Sequence, residues 1–369
     1  MGEEVTMVKE VQRAPAEQRY GDELERLTAA DTDPKPKGWR LSPRAVRRFI
    51  LGDKANDISQ KFFGDDPLID RCIVSLMGHQ GLMLVGEPGT AKSLLSELLA
   101  AAISSDSSLV IQGSAGIIED HLRYGWNYAL LLAEGPSERA LQPSPVFNGM
   151  RDGKIVRVEE LTRCAPEVQD ALISLMSEKT IAIPELGPAL ENRAAPGFNI
   201  IGTANLRDRG VHDMSSALKR RFNFETVLPI ADANFEKELV ARQLAERMAD
   251  HAVGGALSED VLDLLVSVFR DLRTGATSDG ATVAQPNSVM STAEAVNVAH
   301  AAALDAAYLD AGSVSGAHVA RQIRGVVFKD DPEDARKFRA YVDHIAKARA
   351  KRSKAWNEFH NAAKKNMNG

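Results

Sequence analysis

The stretch Gly86-Glu87-Pro88-Gly89-Thr90-Ala91-Lys92-Ser93 constrains this chain more than any other. The apolar run 82–85 leads into it, and residues 93–102 continue from it with helical character. A glycine-rich turn between a strand and a helix start points backbone N–H groups inward, where the helix dipole also favours an anion. Glycines permit the tight turn, a lysine reaches the terminal phosphates of a nucleoside triphosphate, and the next hydroxyl binds magnesium. Gly86, Glu87, Pro88, Gly89, Thr90, Ala91, Lys92, Ser93 and the following Leu94 are therefore the candidate nucleotide-binding residues, with Ser93 also a candidate metal ligand. Ala91 stands where the usual pattern has the glycine before the lysine.

The flanking sequence supplies the sheet that such a loop requires. Short strand-like runs at 109–111, 155–158, 199–203 and 224–227 alternate with helical stretches, which implies an α/β core with a parallel sheet covered on both faces. Beyond about residue 230 the strand signal stops. Leu262, Leu265, Val266 and Phe269 recur at helical spacing and alanine-rich 292–309 is a second helix, which predicts a separate all-α domain. Phe338, Tyr341, Val342 and Ile345 give an amphipathic helix that runs into basic 347–354. Residues 1–40 are charged, contain Pro34 and Pro36, and lack an apolar period, so a flexible arm is expected. A short helix should follow, capped by Ser42 with Pro43 in its first turn and Val46, Phe49 and Ile50 on one face. The expected division is an arm to residue 40, a core over 41–230, a helical domain over 231–330 and a basic C-terminal helix over 331–369.

Composition excludes several alternatives. Hydrophobic residues at 44% and charged residues at 26% fit a folded globular chain and not a disordered one. No apolar stretch reaches the length of a membrane span, and residues 1–19 carry no basic-then-apolar leader, so a cytoplasmic protein is expected. A net charge of −6 argues against non-specific nucleic-acid binding by the whole surface. Cys72 and Cys164 lie far apart without metal-spaced companions and are expected as reduced thiols, and the scattered histidines form no metal cage.

Three further segments carry chemistry. Ile155-Val156-Arg157-Val158-Glu159-Glu160 ends a strand in two carboxylates: Glu159 can hold magnesium and Glu160 can orient and deprotonate an attacking water. Glu159 replaces the more common aspartate, and Arg157 is out of place in a buried strand. Residues 199–205 form an apolar strand ending in Asn205, an amide that would lie beside the γ-phosphate in a nucleotide-hydrolysing sheet. Leu218-Lys219-Arg220-Arg221-Phe222 sets Arg220 and Arg221 at a helix end, where they either complement the helix dipole or reach a neighbouring subunit's nucleotide.

Taken in order, the loop, the run Glu-Glu-Leu-Thr-Arg-Cys-Ala-Pro-Glu-Val-Gln-Asp-Ala-Leu (159–172), Gly-Thr-Ala-Asn (202–205) and Leu-Lys-Arg-Arg-Phe resemble the MoxR family of AAA+ ATPases over residues 42–329. The family pattern includes the alanine at 91. The resemblance implies a five-stranded AAA+ P-loop core with a helical lid, ATP/ADP and Mg²⁺ as cofactors, and a homo-oligomeric, usually hexameric, ring. It also implies an insertion within 117–150 and a hairpin around 180–198. By position, Asn205 matches the first sensor and Arg221 the arginine finger, with Arg220 close behind, while Arg163 falls near the subunit interface. Ser291-Thr292-Ala293-Glu294 lacks the family's lid arginine, for which Arg209 or Arg220 would compensate. Relatives are chaperone-like ATPases that act with partners bearing a von Willebrand factor A domain. The rival expectations are a DNA-stimulated motor, which needs a basic hairpin that 180–193 lacks, and a nucleotide-sensing scaffold with little hydrolysis.

Overall fold

The computed structural model describes residues 13–187, 190–205, 212–249, 251, 256–288, 290–310, 312–329 and 331–366. Arg209, offered above as a substitute lid arginine, lies outside them. Two compact units emerge, Met1–Gly86 with Lys92–Val227, and Glu87–Ala91 with Leu228–Gly369. No helix among the described residues is long and apolar enough to cross a membrane.

The first unit opens with α1 (Ala16–Arg19), α2 (Gly21–Ala30), α3 (Pro43–Leu51) and α4 (Asp66–Met77), followed by β1 (Gly81–Val85), α5 (Lys92–Ser104) and β2 (Val110–Gln112). Then come β3 (Tyr124–Trp126), α6 (Tyr128–Glu134), β4 (Leu141–Pro143), α7 (Pro145–Asp152) and β5 (Ile155–Glu159). The unit closes with α8 (Pro166–Glu178), β6 (Thr180–Ala182), β7 (Glu191–Arg193), β8 (Asn199–Ala204), α9 (Ser216–Lys219) and β9 (Phe222–Thr226). One five-stranded sheet runs in the order β2-β5-β8-β1-β9, with every pairing parallel. Its three central strands are buried along their whole length, which is why they read as apolar runs without alternation. In α5, Leu95, Leu98, Leu99 and Ile103 are fully buried. The expected hairpin is the antiparallel pair β6–β7, and the expected insertion contains the β3–β4 ribbon with α6 between its strands. Ser42 caps α3 as expected, its hydroxyl accepting from Ala45 N–H.

Residues 13–40 correct the expectation of a flexible arm. Leu24 and Leu27 on α2, one helical turn apart, are buried in the same cluster as Leu41, Val46 and Phe49. Arg13 and Arg19 pair with buried Glu97 on α5 at 2.7 and 3.0 Å. Two leucines diluted by charged neighbours make a weak period in sequence, yet they suffice to dock a short helix when a complementary apolar face exists.

The second unit is all-α: α10 (Ala233–Met248), α11 (Glu259–Thr274), α12 (Thr292–Leu304), α13 (Gly316–Val327), α14 (Pro332–Tyr341), α15 (Lys347–Arg349) and α16 (Lys354–Asn366). Phe269, Phe338 and Phe359 are buried in its core. Residues 331–366 therefore belong to this unit and are not a separate basic helix, a second correction. Trp356 and Phe359 are buried with the helices before them, and Arg349 pairs with Asp271 at 2.7 Å while lying over the Trp356 ring. Basic residues masked an apolar face whose partners lie far back in sequence.

Candidate functional site

In a parallel sheet every strand ends on the same edge, so residues distant in sequence meet there. β8 lies between β5 and β1, with Val158 opposite Gly202 and Val85 opposite Ala204. The glycine-rich loop, Asn205 and Glu159 thus lie at the ends of three adjacent strands on one edge.

The loop has the conformation that its sequence requires. Gly89 takes φ +76°, and a Cβ there would fall 2.4 Å from Ser291 Cβ at the start of α12. Ala91 is held at φ +66°, a left-handed conformation that disfavours any side chain and explains why glycine is usual at this position. Lys92 is buried, and its ammonium donates to the Gly86 carbonyl at 3.1 Å. Ser93 is exposed and sits in α5's first turn, with its hydroxyl bonded to the end of β5.

That hydroxyl donates to Glu159 Oε2 at 2.7 Å. Thr203 on β8 donates to the same oxygen at 2.7 Å, while Ser96 Oγ lies 2.7 Å and an Arg157 nitrogen 2.8 Å from Oε1. Burial by itself would raise this carboxyl. The Ser96 and Ser93 hydroxyls, the Arg157 charge and the Thr203 hydroxyl outweigh that and hold Glu159 below the ordinary glutamate value. Arg157 is no anomaly: residues two apart in a strand share a face, so its charge meets the acid directly. The backbone is equally tight here. Gly113 N–H donates to the Glu159 carbonyl at 2.7 Å, and a Cβ on Gly113 would fall 2.4 Å from the Glu160 carbonyl oxygen.

Glu160 follows the last residue of β5 at φ +52°. It is half-buried and pairs with Arg163 at 2.6 Å, while its N–H donates to Thr203 Oγ1 at 2.9 Å. Asn205 is buried, and its side-chain oxygen has no partner among the described residues. An orphaned buried carbonyl costs free energy and marks a place for a ligand or water.

Arg220 and Arg221 fall elsewhere. They precede β9, whose first residue Phe222 pairs with Gly81 at the start of β1, so they flank the opposite edge of the sheet. At about 3.3 Å per residue the four steps from Gly81 to Val85 put roughly 13 Å of strand between them and the loop. Arg221 donates to Ser177 Oγ at 3.0 Å and to the Ala217 carbonyl at 2.8 Å, whereas Arg220 has an exposed side chain without a partner among the described residues.

Sequence reasoning missed Ser96 and Thr203 and misread Arg157. The available signals were the i−2 position of Arg157 before Glu159 and the i+3 position of Ser96 after Ser93, each of which puts two side chains on one face. In the insertion, Tyr124 and Trp126 pack edge to face, and Tyr124 donates to Glu185 at 2.8 Å, leaving Tyr128 exposed. Asp305, Asp310 and His318 also converge within 4.8 Å. Arg321 bridges both carboxylates at 2.9 and 2.8 Å, and His318 Nδ1 accepts from Ser315 N–H at 3.0 Å. That acceptor puts the neutral ring's proton on Nε2, so the cluster is an ion-pair network and not a ready cation cage.

Residues 81–222 match the AAA domain family, dynein-related subfamily, and residues 234–365 match the YehL-like AAA+ ATPase C-terminal domain. The chain is 51% identical over 334 residues to the uncharacterized protein YehL of Escherichia coli K12, covering 90% of this chain and 92% of that protein. It is 27% identical over 197 residues to the uncharacterized protein SH1500 of Staphylococcus haemolyticus, covering 53% and 69%. Among solved structures, the Thermotoga maritima RuvB Holliday junction branch migration motor aligns with a TM-score of 0.45 at 14% identity over 78% of each chain.

Proposed function

Because this chain belongs to the YehL-like AAA+ ATPases, we propose that it hydrolyses ATP between the subunits of a ring and uses the energy to remodel or activate a partner protein. The observation that carries the reading is the 2.7 Å contact between Ser93 Oγ and Glu159 Oε2, which joins the phosphate loop's helix to the acid at the end of β5. A hydroxyl and a carboxylate so close are the hard oxygen donors that magnesium takes, so Ser93 and Glu159 are the residues that would hold it. Magnesium supplies charge neutralisation on the phosphate oxygens when bound.

The chain's own groups divide the remaining work. The loop's backbone N–H groups and Lys92 grip the phosphates. Glu160 takes the proton of the attacking water once its carboxylate is free of Arg163, and Asn205 Oδ1, buried and without a partner among the described residues, accepts a hydrogen bond from that water. Glu159 stays ionised because four donors hold it so. Arg221 acts on the nucleotide of the neighbouring subunit, since its own lies at the far edge of the sheet. That separation makes hydrolysis depend on assembly and supports a homo-oligomer, with a hexamer as the expected size. The MoxR resemblance adds a chaperone-like role and a separate partner bearing a von Willebrand factor A domain.

Glu160→Gln tests the mechanism. The variant is expected to retain ATP while turnover falls about 10²–10⁴-fold, and an ATP-stabilised pull-down with it should recover the ring and its client. Wild-type turnover in the purified variant would refute the assignment.

A further inference from the structure

In the scheme above Arg157 and Ser96 serve only as two of the four groups that keep Glu159 ionised, yet both are buried against its centre. The Arg157 guanidinium reaches four groups: Ser96 Oγ at 2.9 Å, Glu159 Oε1 at 2.8 Å, the Ser107 carbonyl at 3.1 Å and the Ser93 carbonyl at 3.2 Å. It therefore touches both sides of the Ser93–Glu159 pair, the acid through its carboxylate and the serine through its backbone. Glu159 in turn accepts two bonds on each oxygen. Its Oε1 is committed to Ser96 and Arg157, which leaves Oε2 as the oxygen facing the Ser93 hydroxyl.

Glutamate is one methylene longer than the aspartate usual at this position, so it has one more torsion to restrain. A guanidinium is a rigid planar fork that fixes a carboxylate's direction as well as its charge. We infer that Arg157, with Ser96, is a positioning residue that pins Oε1 of Glu159 and the backbone of Ser93 together and so sets how readily magnesium is taken up with nucleotide. This inference rests on the ATPase reading and deepens it. The pinned carboxylate presents one oxygen in one direction, and α5 cannot slide against β5 without breaking the Arg157–Ser93 bond.

The test is the magnesium concentration at which the full chain half-saturates in binding a fluorescent ADP, read without turnover. Ser96→Ala removes the hydroxyl that lies between Arg157 and Glu159, with no change of charge. It is expected to raise the magnesium midpoint about tenfold, the scale of one lost hydrogen bond to a charged group. Arg157→Gln should raise it further, and Arg157→Lys, which keeps the charge but not the fork, should fall between wild type and glutamine. Thermal unfolding checks that each variant folds, and where an arginine variant does not, Ser96→Ala decides. A wild-type midpoint in folded Ser96→Ala overturns the inference while leaving the ATPase reading intact. Failure of the wild-type chain to bind nucleotide with magnesium would overturn both.

Discussion

Asp31 grips Ser42 with both carboxylate oxygens, Oδ2 accepting the backbone N–H and Oδ1 the hydroxyl, each at 2.7 Å. The same serine caps α3, so one carboxylate ties the segment after α2 to the first helix of the core. Burial raises this carboxyl, but the two Ser42 bonds, the Lys35 charge and the Asp33 N–H outweigh it and hold Asp31 below the ordinary aspartate value. Its contribution to stability is therefore complete above the ordinary aspartate range and is lost as pH falls through the lowered folded value. Asp31→Asn should cost about 1.5–3 kcal/mol at neutral pH. Urea unfolding of both proteins across pH should show the gap closing in acid. A gap that stays constant into acid would mean that the charge contributes nothing.

Arg221 and Arg220 differ in how they are held. Arg221 is tied to Ser177 and the Ala217 carbonyl, whereas Arg220 points outward. Arg221→Ala is expected to lower turnover about 10³-fold or more, the scale of a trans arginine, with nucleotide affinity retained. Arg220→Ala should lower it less than tenfold on the same scale. Specific activity of the wild type should climb with protein concentration. Steady-state ATPase assays over a dilution series check all three, and activity independent of concentration would remove the trans role.

Ala91 carries a left-handed backbone at φ +66°. Ala91→Gly should relieve strain and leave stability unchanged or raised by up to about 1 kcal/mol, where glycine in a helix or strand interior would cost that much. Ala91→Val should destabilise and weaken nucleotide binding, because a β-branched side chain tolerates this conformation least. Thermal melts of the two variants with and without ADP separate the cases. Equal melts for glycine and valine would show that the loop is unstrained.

Much of the candidate site's arrangement was legible because its residues mark strand ends. The loop, the acidic pair and Asn205 each sit at the end of an apolar run, and a strand end followed by a polar residue is visible in one dimension. Ser42's cap on α3 was legible for the same reason. Less visible were contacts whose halves lie far apart. Leu24 and Leu27 read as part of a charged arm until Leu41 and Phe49 supplied their partners. Trp356 and Phe359 read as part of a basic tail until the helical core enclosed them.

Sequence alone determined the residue types and their order: a glycine-rich turn before a helix, acids at the end of a buried strand, an amide after another. Tertiary structure decided which of these meet. It placed β8 between β5 and β1, bringing Thr203 to Glu159, and it turned Arg157 from an oddity into the acid's counter-charge. It also left Arg221 at the far edge of the sheet. The physical reason is that hydrogen bonds and ion pairs act over about 3 Å in space, whereas the order of strands in a sheet is fixed by how whole elements bury their apolar faces.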